Sequence, residues 1–122
     1  MPIRIPSRRR VAVLISGGGS NMASLVAAGQ APDAPFEVVL VISNIPDAGG
    51  LTIAGTAGIP SLTIDHRAYG KDRAAHEQAI AAMLDEYGVE VVAMAGYMRL
   101  LTPWLVSRWA GRVLNIHPSL LP

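Results

Sequence analysis

Short apolar segments rich in β-branched residues recur along this chain and alternate with segments of helical character. Because the run over residues 11–15 is continuously apolar, it is typical of a strand buried on both faces. These runs predict strands over residues 11–15, 36–42, 62–64, 89–95 and 113–116. Strands that alternate with helices predict an α/β fold, a doubly wound, Rossmann-like parallel sheet of about five strands with helices on both faces.

The intervening segments predict helices over residues 22–28, from Asp47 to about 57, over 71–87, and from Pro103 to about 109. We expect Ser20 or Asn21, then Asp47 and finally Thr102 to cap three of them. The longest helix carries an apolar stripe that should face the core; its members are Ala75, Ala79, Ile80, Met83, Leu84 and Tyr87. His66 and His76 fall in a loop and a helix, and we interpret both as surface residues.

Length and composition predict one domain and exclude several function classes. The 122 residues carry a net charge of +1, which gives no indication of a nucleic-acid partner. No apolar run approaches the roughly 18 residues of a membrane helix, so no membrane association is expected. The absence of cysteine excludes disulfides and thiolate metal sites and fits a cytoplasmic protein. We expect residues 1–10 to form a basic, flexible tail and residues 11–122 the folded domain.

A glycine-rich turn, Ser16-Gly-Gly-Gly-Ser-Asn21, joins the first predicted strand to the first predicted helix. This arrangement presents free backbone N–H groups at a helix N-terminus, where an anion binds favourably. No lysine follows the glycines, and Met22 breaks the dinucleotide spacing. A single phosphate is therefore the preferred ligand, and a purely structural turn is the alternative.

Two further groups of residues follow predicted strands at the same edge of the sheet, where ligands of such folds bind. The segment Met98-Arg99-Leu100-Leu101 could line a pocket for a flat anionic molecule or pack as a hydrophobic loop under the next helix. Asn115 and His117 are two apart, so they share one face of the last strand.

An amide beside an imidazole can hold an oxyanion and transfer a proton, although a lone histidine is often a hydrogen-bonded core residue. Pro118 follows at once and ends the strand, which supports the functional interpretation of Asn115 and His117. The three histidines are dispersed along the chain, so no metal site is expected.

Three motifs together resemble the phosphoribosylglycinamide formyltransferase family of folate-dependent purine synthesis. They are Ser16-Gly-Gly-Gly-Ser-Asn21, Ala95-Gly-Tyr-Met-Arg99 and Asn115-Ile-His-Pro-Ser-Leu-Leu-Pro122. The last motif also fits other users of 10-formyltetrahydrofolate, such as methionyl-tRNA formyltransferase and formyltetrahydrofolate hydrolase. The glycine motif favours the first family, although Gly18 stands where that family commonly has asparagine.

The resemblance implies formyl transfer from 10-formyltetrahydrofolate to the amine of 5'-phosphoribosylglycinamide, without a metal, in de novo purine biosynthesis. It assigns the substrate phosphate to Gly19, Ser20 and Asn21, and catalysis to Asn115 and His117. It assigns the folate to a larger set, namely Arg73, Met98, Arg99, Leu100, Leu101 and Asn115.

The same resemblance implies a catalytic aspartate beyond Pro122, so we expect the sequence to represent the N-terminal part of the family's fold and to be weakly active or inactive alone. Formyltetrahydrofolate hydrolysis and a phosphate-binding module without catalysis stay open as alternatives. The protein is expected to act on small molecules as a monomer or homodimer.

Overall fold

The computed structural model describes residues 8–17, 20–98 and 101–116, which form one parallel five-stranded sheet. The strands lie in the order β3-β2-β1-β4-β5. They are β1 (Arg9–Ile15), β2 (Phe36–Ser43), β3 (Ser61–Thr63), β4 (Val91–Ala95) and β5 (Val113–Ile116). The predicted parallel α/β sheet is thus confirmed, and β1 lies at its centre.

Helices cover the two faces of this sheet in pairs. The helices are α1 (Ser20–Gly29), α2 (Gly49–Thr56), α3 (Arg73–Glu86) and α4 (Pro103–Arg108), and a 3₁₀ turn spans His66–Tyr69. Alternate residues of β1 pack towards opposite layers: Val13 lies in the apolar cluster with α1 and α2, and Leu14 in the cluster with α3 and α4. Both layers therefore bury the apolar part of the central strand, residues 11–15, as its continuous apolar run predicts.

The α1/α2 layer covers the sheet unevenly. An apolar groove of about 230 Å³ lies beside β4 and β5 on this side, and its lining includes Leu25, Phe36, Ala93, Leu114 and Ile116. β5 is an edge strand of the described sheet.

The predicted helix starts need correction. Asp47 does not cap α2: its φ of 59° lies in the left-handed region, and Ala48 occupies the N-cap position. Ser20 and Asn21 are the first two residues of α1 rather than residues before it. Thr102 does occupy the N-cap position of α4, with Pro103 at the first turn as predicted. Short polar residues therefore predict the region in which a helix begins better than they predict its first residue.

The interpretation of His66 and His76 as surface residues is wrong. His76 is only 2% exposed, and its Nε2 donates a hydrogen bond to the Ile64 carbonyl at 2.8 Å. His66 is half-buried in the 3₁₀ turn that interrupts the predicted polar loop. A histidine that finds a backbone acceptor can lie in the core, which a polarity pattern does not reveal.

The basic N-terminal segment overlaps the sheet, because β1 begins at Arg9, two residues before its predicted start. The Arg10 guanidinium donates to the Tyr87 carbonyl at 2.8 and 3.1 Å, and Arg8 donates to the Pro32 carbonyl at 2.7 Å. Residues 1–7 of the predicted tail lie outside the described residues. Among the helices of the described chain, none is long and apolar enough to cross a membrane.

Candidate functional site

The glycine turn leads from β1 directly into α1. Ser16 and Gly17 are described, whereas Gly18 and Gly19 lie outside the described residues. Because Ser20 and Asn21 open α1, their backbone N–H groups belong to the first helical turn, whose donors have no partner within the helix. Asn21 is half-buried. The helix start predicted at this turn is therefore present, and the anion site itself stays a prediction.

Helix α2 supports the glycine turn from the side. The Gly50 N–H donates to the Gly17 carbonyl at 3.1 Å. A Cβ placed on Gly50 would come within 2.5 Å of the Ile15 Cδ1 atom, so only glycine fits without a local shift. The sequence analysis missed Gly50, although a glycine inside a helical segment is a known signal of close backbone approach.

A second loop leaves β4 and approaches the glycine turn. Gly96 turns the chain with a φ of 73°, and the Met98 N–H then donates to the Ser16 Oγ at 2.8 Å. The Met98 side chain is 82% exposed, whereas Leu101 is half-buried and packs against the α3/α4 cluster. Arg99 and Leu100 lie outside the described residues. The exposed Met98 fits the interpretation of this segment as the lining of a pocket. The packed Leu101 fits the interpretation as a hydrophobic loop under the next helix.

The first turn of α3 lies beside the end of this loop. Glu77 is buried, and its carboxylate accepts hydrogen bonds from the Thr102 N–H at 2.6 Å and from the Thr102 hydroxyl. Arg73 opens α3 one turn earlier, and residues four apart share a helix face. Helix α3 therefore adjoins the end of this loop at Glu77, and Arg73 lies on the same helix face, one turn nearer the start of α3.

Asn115 lies on β5, next to Met94 of β4 in the parallel register, and its side chain is exposed. By strand alternation it shares a face with Val113, which packs against the α3/α4 cluster. Asn115, Leu101 and α3 consequently lie on the same side of the sheet. His117 lies outside the described residues, so its place beside Asn115 stays a prediction.

Charge at the neighbouring rim is concentrated at the 3₁₀ turn. The Arg67 guanidinium and backbone N–H both donate to the Asp65 carboxylate, which lowers the pKa of that group from 3.8 to about 2. Asp65 thereby caps the turn that holds His66. Across residues 8–17, 20–98 and 101–116, no three histidine, aspartate or glutamate side chains are grouped to hold a metal ion.

Comparison with known proteins shows which family the chain belongs to. The profile of the formyl transferase family matches residues 9–122. The chain is 44% identical over 112 residues to a phosphoribosylglycinamide formyltransferase of Escherichia coli strain K12, covering 92% of this chain and 52% of that protein. It is 47% identical over 117 residues to the trifunctional purine biosynthetic protein adenosine-3 of Bos taurus, covering 96% of this chain and 12% of that protein.

Among solved structures, phosphoribosylglycinamide formyltransferase from Brucella melitensis superimposes with a TM-score of 0.87 at 48% identity, covering 95% of this chain and 60% of that one. The chain thus spans about half the length of the E. coli relative and about a tenth of the bovine one.

Proposed function

Because the chain belongs to the formyl transferase family, we propose that it is part of a phosphoribosylglycinamide formyltransferase. The protein would transfer a formyl group from 10-formyltetrahydrofolate to the amine of 5'-phosphoribosylglycinamide in purine biosynthesis. The observation that carries the proposal is the hydrogen bond between the Met98 N–H and the Ser16 Oγ. It places the predicted phosphate loop directly beside the predicted folate loop, as a reaction between two bound substrates requires.

The substrate phosphate is assigned to the start of α1. Backbone N–H groups of Gly19, Ser20 and Asn21 would donate to it, and the positive end of the helix dipole would favour its charge. The described geometry supports this assignment, since Ser20 and Asn21 occupy the first turn of α1. The resemblance of the glycine motif and the helix start both support a phosphate as the ligand.

The folate is assigned to the α3/α4 side of the rim. Arg73, Met98, Arg99, Leu100, Leu101 and Asn115 would line its pocket. Arg73, Leu101 and Asn115 lie on one side of the sheet, which supports a common pocket. The exposed Met98 side chain offers apolar surface to a flat ring.

The chemistry is assigned to Asn115 and His117. The substrate amine attacks the formyl carbon, and the new C–N bond leaves a tetrahedral oxyanion to which the Asn115 amide donates a hydrogen bond. Protonated His117 stabilises that charge. As the bond from carbon to the folate nitrogen breaks, a proton reaches that nitrogen and the amine loses one. A cytoplasmic location and a monomeric or homodimeric state accompany this proposal.

The test is a formyl-transfer assay on the full-length protein with Asn115→Ala, and Leu114→Ala as the control on the same strand. Loss of one oxyanion donor should lower kcat about 10²- to 10³-fold, while the exposed Leu114 should be neutral. His117→Ala should lower the rate about 10²- to 10⁴-fold. Formate released without glycinamide ribonucleotide would favour the hydrolase, and phosphate binding without any turnover would favour the binding module.

A further inference from the structure

A row of hydrogen-bonded polar groups, buried at Ser16 and Asn44, crosses the carboxyl ends of four adjacent strands. It runs from Met98 after β4 to Ser16 after β1, then to Asn44 after β2 and His66 after β3. The Met98 N–H donates to the Ser16 Oγ at 2.8 Å, and the Ser16 hydroxyl donates to the Asn44 Oδ1 at 2.5 Å. The Asn44 Nδ2 lies 3.1 Å from the His66 Nδ1. The row therefore follows the order of the strands in the sheet.

The donors and acceptors at Ser16 are mutually consistent. The Ser16 hydroxyl accepts a hydrogen bond from the Met98 N–H and donates its single proton to Asn44. It is therefore satisfied both as an acceptor and as a donor. Asn44 accepts at Oδ1, and its backbone N–H donates to the Ile15 carbonyl at 3.2 Å. The His66 Nδ1 lies 3.1 Å from both the Nδ2 and the carbonyl oxygen of Asn44, so it accepts from the amide in one tautomer and donates to the carbonyl in the other. Ser16 and Asn44 are 6% and 3% exposed. Such a buried and satisfied network fixes one arrangement of the groups it joins.

The groups that the row joins are the two loops assigned to the two substrates. Ser16 immediately precedes the glycine turn, and Met98 opens the loop assigned to the folate. We propose that Ser16 and Asn44 are positioning residues that hold the phosphate loop and the folate loop in one register, so that amine and formyl carbon meet. The inference rests on the proposed function and adds residues to which that function assigned no role.

A neighbouring serine, Ser43, provides a control that distinguishes the positioning role from the mere loss of a buried hydroxyl. Ser43 is completely buried at the end of β2, but its Oγ donates to the Ile45 carbonyl at 2.6 Å and accepts from the Ile45 N–H at 3.1 Å. These side-chain bonds stay within one turn and join no second loop. Ser43→Ala therefore removes a buried hydroxyl, as Ser16→Ala does, without cutting the row.

The first measurement is hydrogen exchange at the Met98 amide of the full-length protein. Ser16→Ala removes the acceptor of that amide, so we expect exchange at least about tenfold faster, the factor that a loss of about 1.4 kcal/mol produces. Ser43→Ala should leave the Met98 amide unchanged. Ser16→Thr keeps the hydroxyl and should restore protection. If Ser16→Ala does not fold, Ser16→Cys keeps a similar volume with a much weaker acceptor and replaces it.

The second measurement is the linkage between ligands, which a merely structural role would not change. The affinity for a folate analogue is measured with and without glycinamide ribonucleotide, and the ratio gives the coupling. We expect a ratio above 1 in the unsubstituted protein and in Ser43→Ala, and a ratio near 1 in Ser16→Ala, with kcat/KM lowered about 10- to 100-fold.

The outcomes separate the two proposals. An unsubstituted protein that binds neither ligand overturns the proposed function and the positioning role with it. A coupled and active protein whose coupling and Met98 protection persist in Ser16→Ala overturns the positioning role alone.

Discussion

The two helical layers of this protein hold the rim of the sheet in different ways. In the α1/α2 layer the buried helical residues are apolar or glycine, and Gly50 brings the backbone of α2 against the glycine turn. In the α3/α4 layer, α3 buries His76 and Glu77, which bind the Ile64 carbonyl and Thr102. One layer thus supports its loop by close approach of backbone, and the other by buried side-chain hydrogen bonds.

The difference matters because each layer adjoins one of the assigned substrate loops. Close approach tolerates little added volume, whereas a polar anchor tolerates little loss of hydrogen bonding. Substitutions that add a methyl group should therefore act mainly in the α1/α2 layer. Substitutions that remove a polar group should act mainly in the α3/α4 layer.

The largest expected effect is at Glu77. Glu77→Ala leaves the Thr102 N–H and hydroxyl without their acceptor, which should lower the free energy of unfolding by about 1–3 kcal/mol. The measurement is urea denaturation, with Glu86→Ala at the exposed end of α3 as the control. Faster hydrogen exchange at Thr102 should accompany the loss. Equal stability of the two variants would remove the distinction between the layers.

A smaller effect is expected at Gly50. The added Cβ of Gly50→Ala would lie 2.5 Å from the Ile15 Cδ1 atom, and the strain should outweigh the better helix propensity by about 1 kcal/mol. Gly55→Ala is the matched control in the same helix, because a Cβ there meets no atom within 4 Å. That control should gain about 0.4–1 kcal/mol. Thermal unfolding of the two variants should therefore shift in opposite directions.

The sequence predicted the sheet well because a continuous apolar run has few alternatives to a buried strand. All five strands occur, and β5 has its predicted bounds. The helix faces were predicted less well: the stripe named Ala75, Ala79, Met83 and Tyr87, which are only half-buried, and omitted His76, Glu77 and Ala81, which are buried. Polar residues near a helix start can bond to neighbouring elements, and a hydrophobicity pattern assigns them to solvent.

The sequence predicted which loops form the candidate site, but it did not predict the contacts between them. The glycine turn and the Met98 loop lie after the strands to which the sequence assigned them, and Asn115 lies on β5. Their link through Ser16 and Asn44 was not predicted, since it depends on β1 lying between β2 and β4. Strand order is a property of the packed sheet, and no local pattern specifies it. The assigned roles of the site residues stay predictions.

The smallest expected effect concerns the 3₁₀ turn beside the α3/α4 layer. Because the folded pKa of Asp65 is lowered from 3.8 to about 2, its contribution to stability is present above pH 3.8 and is lost as the pH falls towards about 2. Arg67→Leu removes the side-chain donor, which is the largest cause of that shift, so the pKa of Asp65 should rise towards 3.8. An NMR titration of the Asp65 carboxyl carbon measures both values directly. A midpoint near 3.8 in the unsubstituted protein would show that the turn is not held by this pair, and the polar anchoring of the rim would then rest on the buried His76 and Glu77.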